Sequence, residues 1–250
     1  PDFKEDPITR YRLGIDRGNL SDNYLISSEA TGSDHHYKVY TPYNYQKMDE
    51  LPVIYVTDGQ DYSHNGMGNM ITILDNLIAN DAIEPLIAIF IDPRNPKNNQ
   101  ENRRGMYLPV NEQYLKFFTD ELIPVVESKY NVRRNAESRA VLGTSLGGIN
   151  STYFCFERPD IFGNCGIQSP AYWYRDQIFD IVEESDARPG QLQIFMTTGT
   201  INDGKELTLR MKEMMESRGF EVNLISVNQG HSWGAWTDQL DDMLIQFYGK

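Results

Sequence analysis

The segment Gly143-Thr144-Ser145-Leu146-Gly147 constrains this chain more than any other feature of its sequence. It follows the apolar stretch Ser138–Gly143 and precedes Leu146–Phe156, a segment of helical length. A serine in so sharp a strand-to-helix turn has a strained backbone and a hydroxyl that is pushed outward. Flanking side chains would collide with the neighbouring backbone, so glycine is required beside it. The pattern therefore predicts an activated serine at the carboxyl end of a buried strand.

Short apolar stretches alternate with segments of helical length from Pro52 onward. The predicted strands are Val53–Val56, Leu86–Asp92, Ser138–Gly143, Phe162–Gln168, Gln191–Thr197 and Val222–Val227. The predicted helices are Gly66–Ala79, Asn111–Lys129, Leu146–Phe156, Arg175–Glu184, Lys205–Arg218 and Gly234–Tyr248. Continuous apolar strands are typical of a sheet buried on both faces, and the alternation predicts a mostly parallel α/β sheet with helices on both sides.

The N-terminal part of the chain has a different pattern. Tyr24–Ser28 and His36–Thr41 alternate around a Thr-Gly-Ser-Asp turn, which predicts an antiparallel hairpin. We expect residues 1–20 to be irregular and residues 21–250 to form one domain, since no linker interrupts them.

Charge and composition exclude several classes of protein. The net charge of −13 disfavours nucleic acid and anionic lipid as partners. The longest apolar runs, such as Leu86–Ile91, are far shorter than the roughly 20 residues that a membrane span needs. A small-molecule or carbohydrate substrate is the expected partner, and the oligomeric state stays open.

The two cysteines exclude a secreted disulfide scaffold and a multi-cysteine metal site. Cys155 and Cys165 lie in apolar stretches, and the favoured interpretation is two buried free thiols, with a disulfide or a reactive thiol as the alternatives. The chain begins at Pro1 rather than Met, so we expect that a preceding segment has been removed. Both a cytoplasmic and an exported location stay open.

A serine hydroxyl needs a base to become a good nucleophile. Of the four histidines, only His231 follows Ser145, and it lies after the last predicted strand, where the serine–acid–histidine order of such folds places the base. We expect His35 and His36 to face solvent in the hairpin. His64 lies in the loop after the first central strand and is a weaker candidate for substrate contact.

The acid that orients this histidine should follow the strand Gln191–Thr197. Asp203 is the favoured candidate, and Glu206 is the alternative because an aspartate just before a helix also serves as an N-cap. Two backbone N–H groups should form the oxyanion hole. We assign these to Leu146, directly after the serine, and to Gln60, in the Asp-Gly turn after the first central strand.

Aromatic and basic residues near these loops are candidates for substrate binding. Tyr172 and Trp173 follow the strand after the nucleophile helix, and Trp236 flanks the histidine; their faces suit an aromatic acyl group or a sugar ring. Arg104 lies in Pro93–Val110, a long loop without regular signals, and could hold a carboxylate or catecholate. The sequence contains no metal-ligand pattern and no phosphate-binding loop, so we expect neither a metal nor a cofactor.

Six motifs occur in one order along the chain: YVTDGQDY, DELIPVVESKY, GTSLGG, GIQSPAYW, TGTIND and GHSWGAW. Together they resemble the putative-esterase family of α/β-hydrolases, which includes esterase D, the feruloyl and acetyl-xylan esterases of carbohydrate esterase family one, and enterochelin esterases. The resemblance extends from about Tyr37 to Tyr248. It implies a single-domain α/β-hydrolase with Ser145 as nucleophile, His231 as base and Asp203 as acid.

The resemblance defines the reaction better than the substrate. It implies a serine carboxylic-ester hydrolase, with a carbohydrate-linked feruloyl or acetyl ester as the favoured substrate. The alternatives are an enterochelin-type siderophore trilactone esterase, an acyltransferase on the same fold and a catalytically silent binding module. The negative net charge favours the carbohydrate ester over an anionic ferric siderophore.

Overall fold

A computed structural model describes residues 6–250; residues 1–5 of the expected irregular segment lie outside the described residues. The strands are β1 Asn19–Leu20, β2 Tyr24–Ser28, β3 Ser33–Thr41, β4 Val53–Val56, β5 Ile87–Asp92, β6 Arg94–Asn95, β7 Asn98–Asn102, β8 Arg139–Thr144, β9 Asn164–Gln168, β10 Gln193–Ile201 and β11 Val222–Gly230. The helices are α1 Gly59–Tyr62, α2 Met70–Ala79, α3 Arg104–Tyr107, α4 Glu112–Lys116, α5 Ile123–Lys129, α6 Leu146–Glu157, α7 Ile178–Glu184, α8 Lys205–Ser217, α9 Trp233–Thr237 and α10 Leu240–Tyr248.

The main sheet has nine strands, eight of them in the order β1-β3-β5-β4-β8-β9-β10-β11, while β2 pairs with β3. Six adjacent strands of this order, β5, β4, β8, β9, β10 and β11, are parallel to one another. The N-terminal strands β1, β2 and β3 are antiparallel to their neighbours. This arrangement confirms the predicted α/β fold. The chain order reverses direction across the sheet at β4. Ligands bind in sheets of this kind at such a reversal, here the carboxyl ends of β4 and β8.

Apolar side chains cover both faces of the central strands, as the continuous apolar runs predict. Val53 and Tyr55 of β4 belong to the larger core, under α4 to α8, whereas Ile54 and Val56 belong to the core under α2 and α10. All four side chains are fully buried, so this strand is fixed on both sides. The loops that carry the chemistry therefore start from a rigid support.

Two predicted helices are divided in the structure. The segment expected as one helix, Asn111–Lys129, contains a π-helical stretch, Phe117–Leu122, directly before α5. Pro124 lies in the first turn of α5 and has no N–H to donate to the preceding turn, which explains the widened turn. The expected helix Gly234–Tyr248 is split into α9 and α10.

The long polar loop is more ordered than expected. Pro93–Val110 contains the antiparallel pair β6–β7 and the short helix α3. Within the segment expected to be irregular, β1 pairs with β3, and Asp75 of α2 binds the backbone N–H of Gly18 and the guanidinium of Arg17. The described part of this segment is thus attached to the sheet edge and to α2.

His35 is not at the surface, contrary to expectation. Strand β3 turns it into the larger core, where it is fully buried and stacks on Phe117 with ring centroids 4.3 Å apart. Its Nε2 lies 2.8 Å from the hydroxyl of Thr31, and its Nδ1 is buried without a hydrogen-bond partner. Burial, with help from the nearby positive charge of Arg103, lowers the pKa of His35 to about 4.

The favoured interpretation of the cysteines as free thiols was also wrong. Cys155 of α6 and Cys165 of β9 are both fully buried, as expected, but they form a disulfide across the helix–sheet interface. No helix in residues 6–250 combines the length and the apolar character needed to cross a membrane.

Candidate active site

Ser145 lies between β8 and α6 with a backbone that few residues adopt. Its φ of 59° and ψ of −114° are unfavourable for a residue with a side chain. Hydrogen bonds hold this turn from both sides, because Gln168 O accepts from Ser145 N at 2.9 Å and Ser145 O accepts from Ala171 N at 3.0 Å. The strain that the sequence pattern predicts is therefore present, and neighbouring backbone groups maintain it.

The glycines on either side of this serine are required by close packing. A Cβ added to Gly143 would overlap the carbonyl group of Gly147, and one added to Gly147 would lie 2.6 Å from Thr57 Oγ1. Neither contact can be relieved by a flexible side chain, since the first involves backbone and the second a buried threonine. The β4 loop and the serine turn can pack closely only because these side chains are absent.

His231 and Asp203 come together at the same edge of the sheet. His231 follows β11 and Asp203 follows β10, and His231 Nδ1 lies 2.5 Å from Asp203 Oδ1. The imidazole is about one-third exposed while the carboxylate is fully buried. This contact leaves Nε2 as the ring nitrogen available to a serine hydroxyl.

Three donors hold the carboxylate of Asp203. Besides His231, the hydroxyl of Ser169 donates to Oδ2 at 2.6 Å, and the backbone N–H of Gly199 donates to the same oxygen. Burial raises the pKa of Asp203, but the hydrogen bonds from His231, Ser169 and Gly199 outweigh it, so the pKa is lowered overall. Asp203 therefore stays ionised. Glu206, the alternative acid, is exposed on the first turn of α8, whereas Asp203 contacts the histidine.

The two assigned oxyanion donors both lie in the first turn of a helix. Gln60 is the second residue of α1 and Leu146 is the first residue of α6, so their N–H groups have no acceptor within the helix. The strands that lead to them, β4 and β8, are hydrogen-bonded neighbours. Two helix N-termini thus flank the crevice beside Ser145, and both favour negative charge.

Arg104 forms an ion pair with Asp58, in which the carboxylate is buried and the arginine side chain is 29% exposed. Its Nε and Nη2 donate to the two carboxylate oxygens at 3.0 and 2.8 Å, a bidentate contact. Burial lowers the pKa of Arg104, but the charge of Asp58 more than compensates, so the pKa is raised. Asp58 occupies Nε and Nη2 of the guanidinium, and substrate binding by Arg104 stays a prediction. The pair fixes the turn that precedes Gln60.

Two of the predicted aromatic contacts belong to the protein interior. Tyr172 is fully buried, and its hydroxyl lies 2.8 Å from that of Thr152 on α6, so it supports the helix and does not line a pocket. Trp236 is also buried, and its ring meets His231 edge-on with centroids 4.9 Å apart. Its indole N–H donates to Ser169 Oγ at 2.9 Å. Trp236 therefore supports the base from behind.

Trp173 alone among the predicted aromatics remains largely exposed, at 68%. It lies beside the loop that carries the acid, since a Cβ on Gly204 would be 3.9 Å from its ring, and it packs edge-on against Tyr174. His64 is exposed and accepts a hydrogen bond from Gly66 N within its own turn. Trp173 is thus both accessible and adjacent to the loop that carries Asp203.

The sequence pattern did not single out Asp58 and Ser169. Ser169 lies in the motif GIQSPAYW and Asp58 in an Asp-Gly turn, and neither position by itself predicts a role. Both residues have positive φ values, of 52° and 39°, although neither is glycine. The sequence gives no signal for such contacts, which join segments 34 to 46 residues apart. Within residues 6–250 no group of histidines, cysteines and carboxylates has the arrangement of a metal site.

Several known proteins are similar to this chain in sequence or in fold. A protein of Bacillus subtilis described as "Uncharacterized protein YbbA" is 26% identical over 246 residues, covering 89% of this chain and 96% of its own length. The endo-1,4-beta-xylanase/feruloyl esterase of Xylanibacter ruminicola is 27% identical over 250 residues, covering 96% of this chain but only 33% of that longer protein. The enterobactin esterase FES from Shigella flexneri superimposes with a TM-score of 0.81 at 18% identity, covering 98% of this chain and 62% of its own.

The family profile described as "Putative esterase" matches residues 28–247, which is most of the chain. This match agrees with the order of motifs along the sequence and with the fold. The match also supports an enzymatic activity for this chain rather than a role as a catalytically silent binding module. The chain belongs to the putative-esterase family and is a carboxylic ester hydrolase.

Proposed function

We propose that the protein cleaves esters through a Ser145–His231–Asp203 triad and an acyl-enzyme. The observation that carries the proposal is the 2.5 Å contact between His231 Nδ1 and the ionised, buried Asp203 at the sheet edge where Ser145 has its strained turn. That contact selects the tautomer with the proton on Nδ1, so Nε2 can accept the proton of the serine hydroxyl.

The reaction proceeds in two steps. Ser145 Oγ attacks the ester carbonyl while His231 takes its proton, and the N–H groups of Gln60 and Leu146 stabilise the oxyanion. His231 then returns the proton to the leaving alcohol oxygen, which gives an acyl-serine. A water molecule, deprotonated by His231, attacks this ester, and the acid leaves while the serine regains its proton. Each oxyanion donor contributes about 2.7–4 kcal/mol to transition-state stabilisation.

A carbohydrate-linked feruloyl or acetyl ester is the proposed substrate. The exposed ring of Trp173 beside the acid loop offers a flat apolar face, which suits an aromatic acyl group or a sugar ring. The similar protein from Xylanibacter ruminicola is described as a feruloyl esterase. A feruloyl group would use the aromatic face most fully, so methyl ferulate is the first model substrate.

A siderophore trilactone is the second candidate, because the enterobactin esterase FES shares this fold with a TM-score of 0.81. The arginines of the long loop give it little support. Arg104 is paired with Asp58, and Arg103 donates to the backbone oxygens of Asp34 and Arg94. Arg94, the third arginine of this loop, is paired with Asp92. The loop therefore offers little unpaired positive charge to an anionic ligand, and the net charge of −13 acts in the same direction.

The test compares initial rates on methyl ferulate, an acetylated xylo-oligosaccharide and a catechol-serine trilactone, with Ser145→Ala as the matched blank. We expect the highest kcat/KM on the feruloyl ester and a loss of about 10⁴-fold or more in the variant. A dominant rate on the trilactone would replace the proposed substrate. A variant that keeps more than a tenth of the wild-type rate would refute the serine mechanism. Adding a sugar alcohol as acceptor and analysing the products separates hydrolysis from acyl transfer.

A further inference from the structure

The segment Gln168–Ala171, which begins at the last residue of β9, contacts both Ser145 and Asp203 of the proposed triad. Its first and last residues bind the backbone of Ser145 on both sides, as described above. The side chain of Gln168 also accepts from Tyr62 Oη at 2.7 Å and donates to Trp236 O at 2.8 Å. One short segment therefore joins the nucleophile turn to the loop that carries the base.

Ser169 is the residue of this segment that reaches the acid. Its side chain is a link in a buried chain of hydrogen bonds, in which Trp236 Nε1 donates to Ser169 Oγ and Ser169 Oγ donates to Asp203 Oδ2. All three residues are at most 6% exposed, so no water competes with these bonds at the surface. Because the indole can only donate, it fixes the direction of the chain: the serine hydroxyl must point its hydrogen at the carboxylate.

The backbone of Ser169 has an unfavourable conformation to make this contact. Its φ is 39°, and its N–H donates to Thr197 O at 2.9 Å, which ties the residue to β10. A non-glycine residue held at positive φ costs about 1–3 kcal/mol and persists where the surroundings enforce it. A serine that served only to fill space would not need this conformation together with two buried side-chain hydrogen bonds.

We propose that Ser169 is a positioning residue that sets the orientation and basicity of Asp203, with Trp236 fixing the direction of its hydroxyl. The proposal rests on the proposed triad. By accepting from Ser169 and Gly199 at Oδ2, the carboxylate keeps Oδ1 directed at His231. The hydroxyl also draws negative charge toward Oδ2, so it limits how strongly Asp203 stabilises the imidazolium form of His231.

The charged groups around this pair are few. Among the described residues, His231 forms its ion pair with Asp203. The charge of His231 in turn lowers the pKa of Asp203. Trp236 and Ser169, which pack against the pair from α9 and from the β9 loop, do not titrate in the relevant range. Arg104, near the serine turn, is neutralised by Asp58. A change at Ser169 should therefore be visible in the pH dependence of the rate.

The experiment compares Ser169→Ala and Ser169→Gly with Ser151→Ala in the full chain. Ser151 is the matched control, because its hydroxyl is equally buried but makes no hydrogen bond among the described residues. Glycine at position 169 tolerates the positive φ, so it removes the hydroxyl without adding backbone strain. Trp236→Phe retains a ring beside His231 but removes the donor to Ser169. Each variant is measured for kcat, KM and the pH profile of kcat/KM, with its melting temperature as the check on folding.

We expect both Ser169 variants to lose about tenfold or more in kcat with little change in KM, since the hydroxyl binds a charged group and does not touch substrate. The acid limb of the kcat/KM profile should move to higher pH by about half a unit or more, because Asp203 then stabilises the imidazolium more strongly. Trp236→Phe should shift the limb in the same direction by less, and Ser151→Ala should leave kcat and the limb in place.

An unchanged kcat and an unmoved acid limb in folded Ser169→Gly would overturn the proposal. A loss of rate that follows the melting temperature equally in all variants, without a shift of the limb, would also overturn it, because that pattern marks a structural role only. The proposed function is tested separately, by Ser145→Ala and by labelling of Ser145 with a fluorophosphonate. If Ser145 is labelled and required while the Ser169 variants behave as wild type, only the role of Ser169 fails.

Discussion

The buried His35 makes the stability of the fold depend on pH in a defined direction. The pKa of this imidazole is lowered to about 4 in the folded protein, while the unfolded chain should bind a proton near the ordinary value of about 6.5. Above pH 6.5 neither state is protonated, so the histidine has no effect. As the pH falls from 6.5 to 4, the unfolded chain takes up the proton and the folded protein does not. Stability is therefore lost as the pH falls through this range.

The size of the effect follows from the difference in pKa. About 2.5 pKa units at about 1.4 kcal/mol each give a limit of about 3 kcal/mol once the pH is below 4. More than half of this limit is reached by pH 5. From this residue alone, the free energy of unfolding should fall by about 2 kcal/mol between pH 7 and pH 5. For a protein whose total stability is about 5–15 kcal/mol, this is a large share.

Urea unfolding at pH 7, 6 and 5 measures the effect, with His35→Gln as the perturbation. The glutamine cannot titrate, so the stability difference between wild type and variant should shrink by about 2 kcal/mol between pH 7 and pH 5. His36→Gln is the matched control, because the neighbouring residue on β3 points to the other face and is only half-buried. If the difference between wild type and His35→Gln stays constant with pH, the histidine does not titrate as its burial requires.

Two further predictions concern the support of the active site. Arg104→Met should destabilise the protein by about 3 kcal/mol, because it leaves the carboxylate of Asp58 buried and unpaired. In thermal unfolding, adding Asp58→Asn to this variant should recover part of the lost stability. If the effects of the two substitutions are strictly additive, the two residues are not coupled. Gly143→Ala should remove both esterase activity and fluorophosphonate labelling, since the new methyl group overlaps the backbone at the serine turn; a folded, active variant would show that the turn can open.

The parts of the fold that could be predicted are those set by local pattern. Every strand of the parallel sheet begins or ends within a few residues of an apolar run, because a strand buried on both faces needs apolar residues at every position. The position of Ser145 follows in the same way, since its glycine pattern encodes a backbone conformation. Family resemblance adds the ester-hydrolase reaction but says little about the substrate or about which side chains support the site.

The remaining features depend on contacts between distant segments. Arg104 and Asp58 are 46 residues apart, and nothing in either segment indicates that the arginine pairs with this carboxylate. His35 lies in a strand with alternating polarity, and the pattern places His36 equally well in the interior; the register with β5 decides which of them is buried. Tyr172 follows a strand that ends at the site, yet its ring turns inward to Thr152. Local sequence does not encode these choices.

Backbone strain at this sheet edge is distributed over four neighbouring strands. β4, β8, β9 and β10 are consecutive in the sheet, and each is followed within two residues by a non-glycine residue at positive φ: Asp58, Ser145, Ser169 and Asn202. The first precedes the oxyanion turn, the second is the proposed nucleophile, the third binds the acid and the fourth precedes it. These backbone conformations cost stability, and each is held directly after a strand whose following loop contributes a group to the proposed site. The sheet can bear this cost because its central strands are buried on both faces and hold the loop bases rigidly.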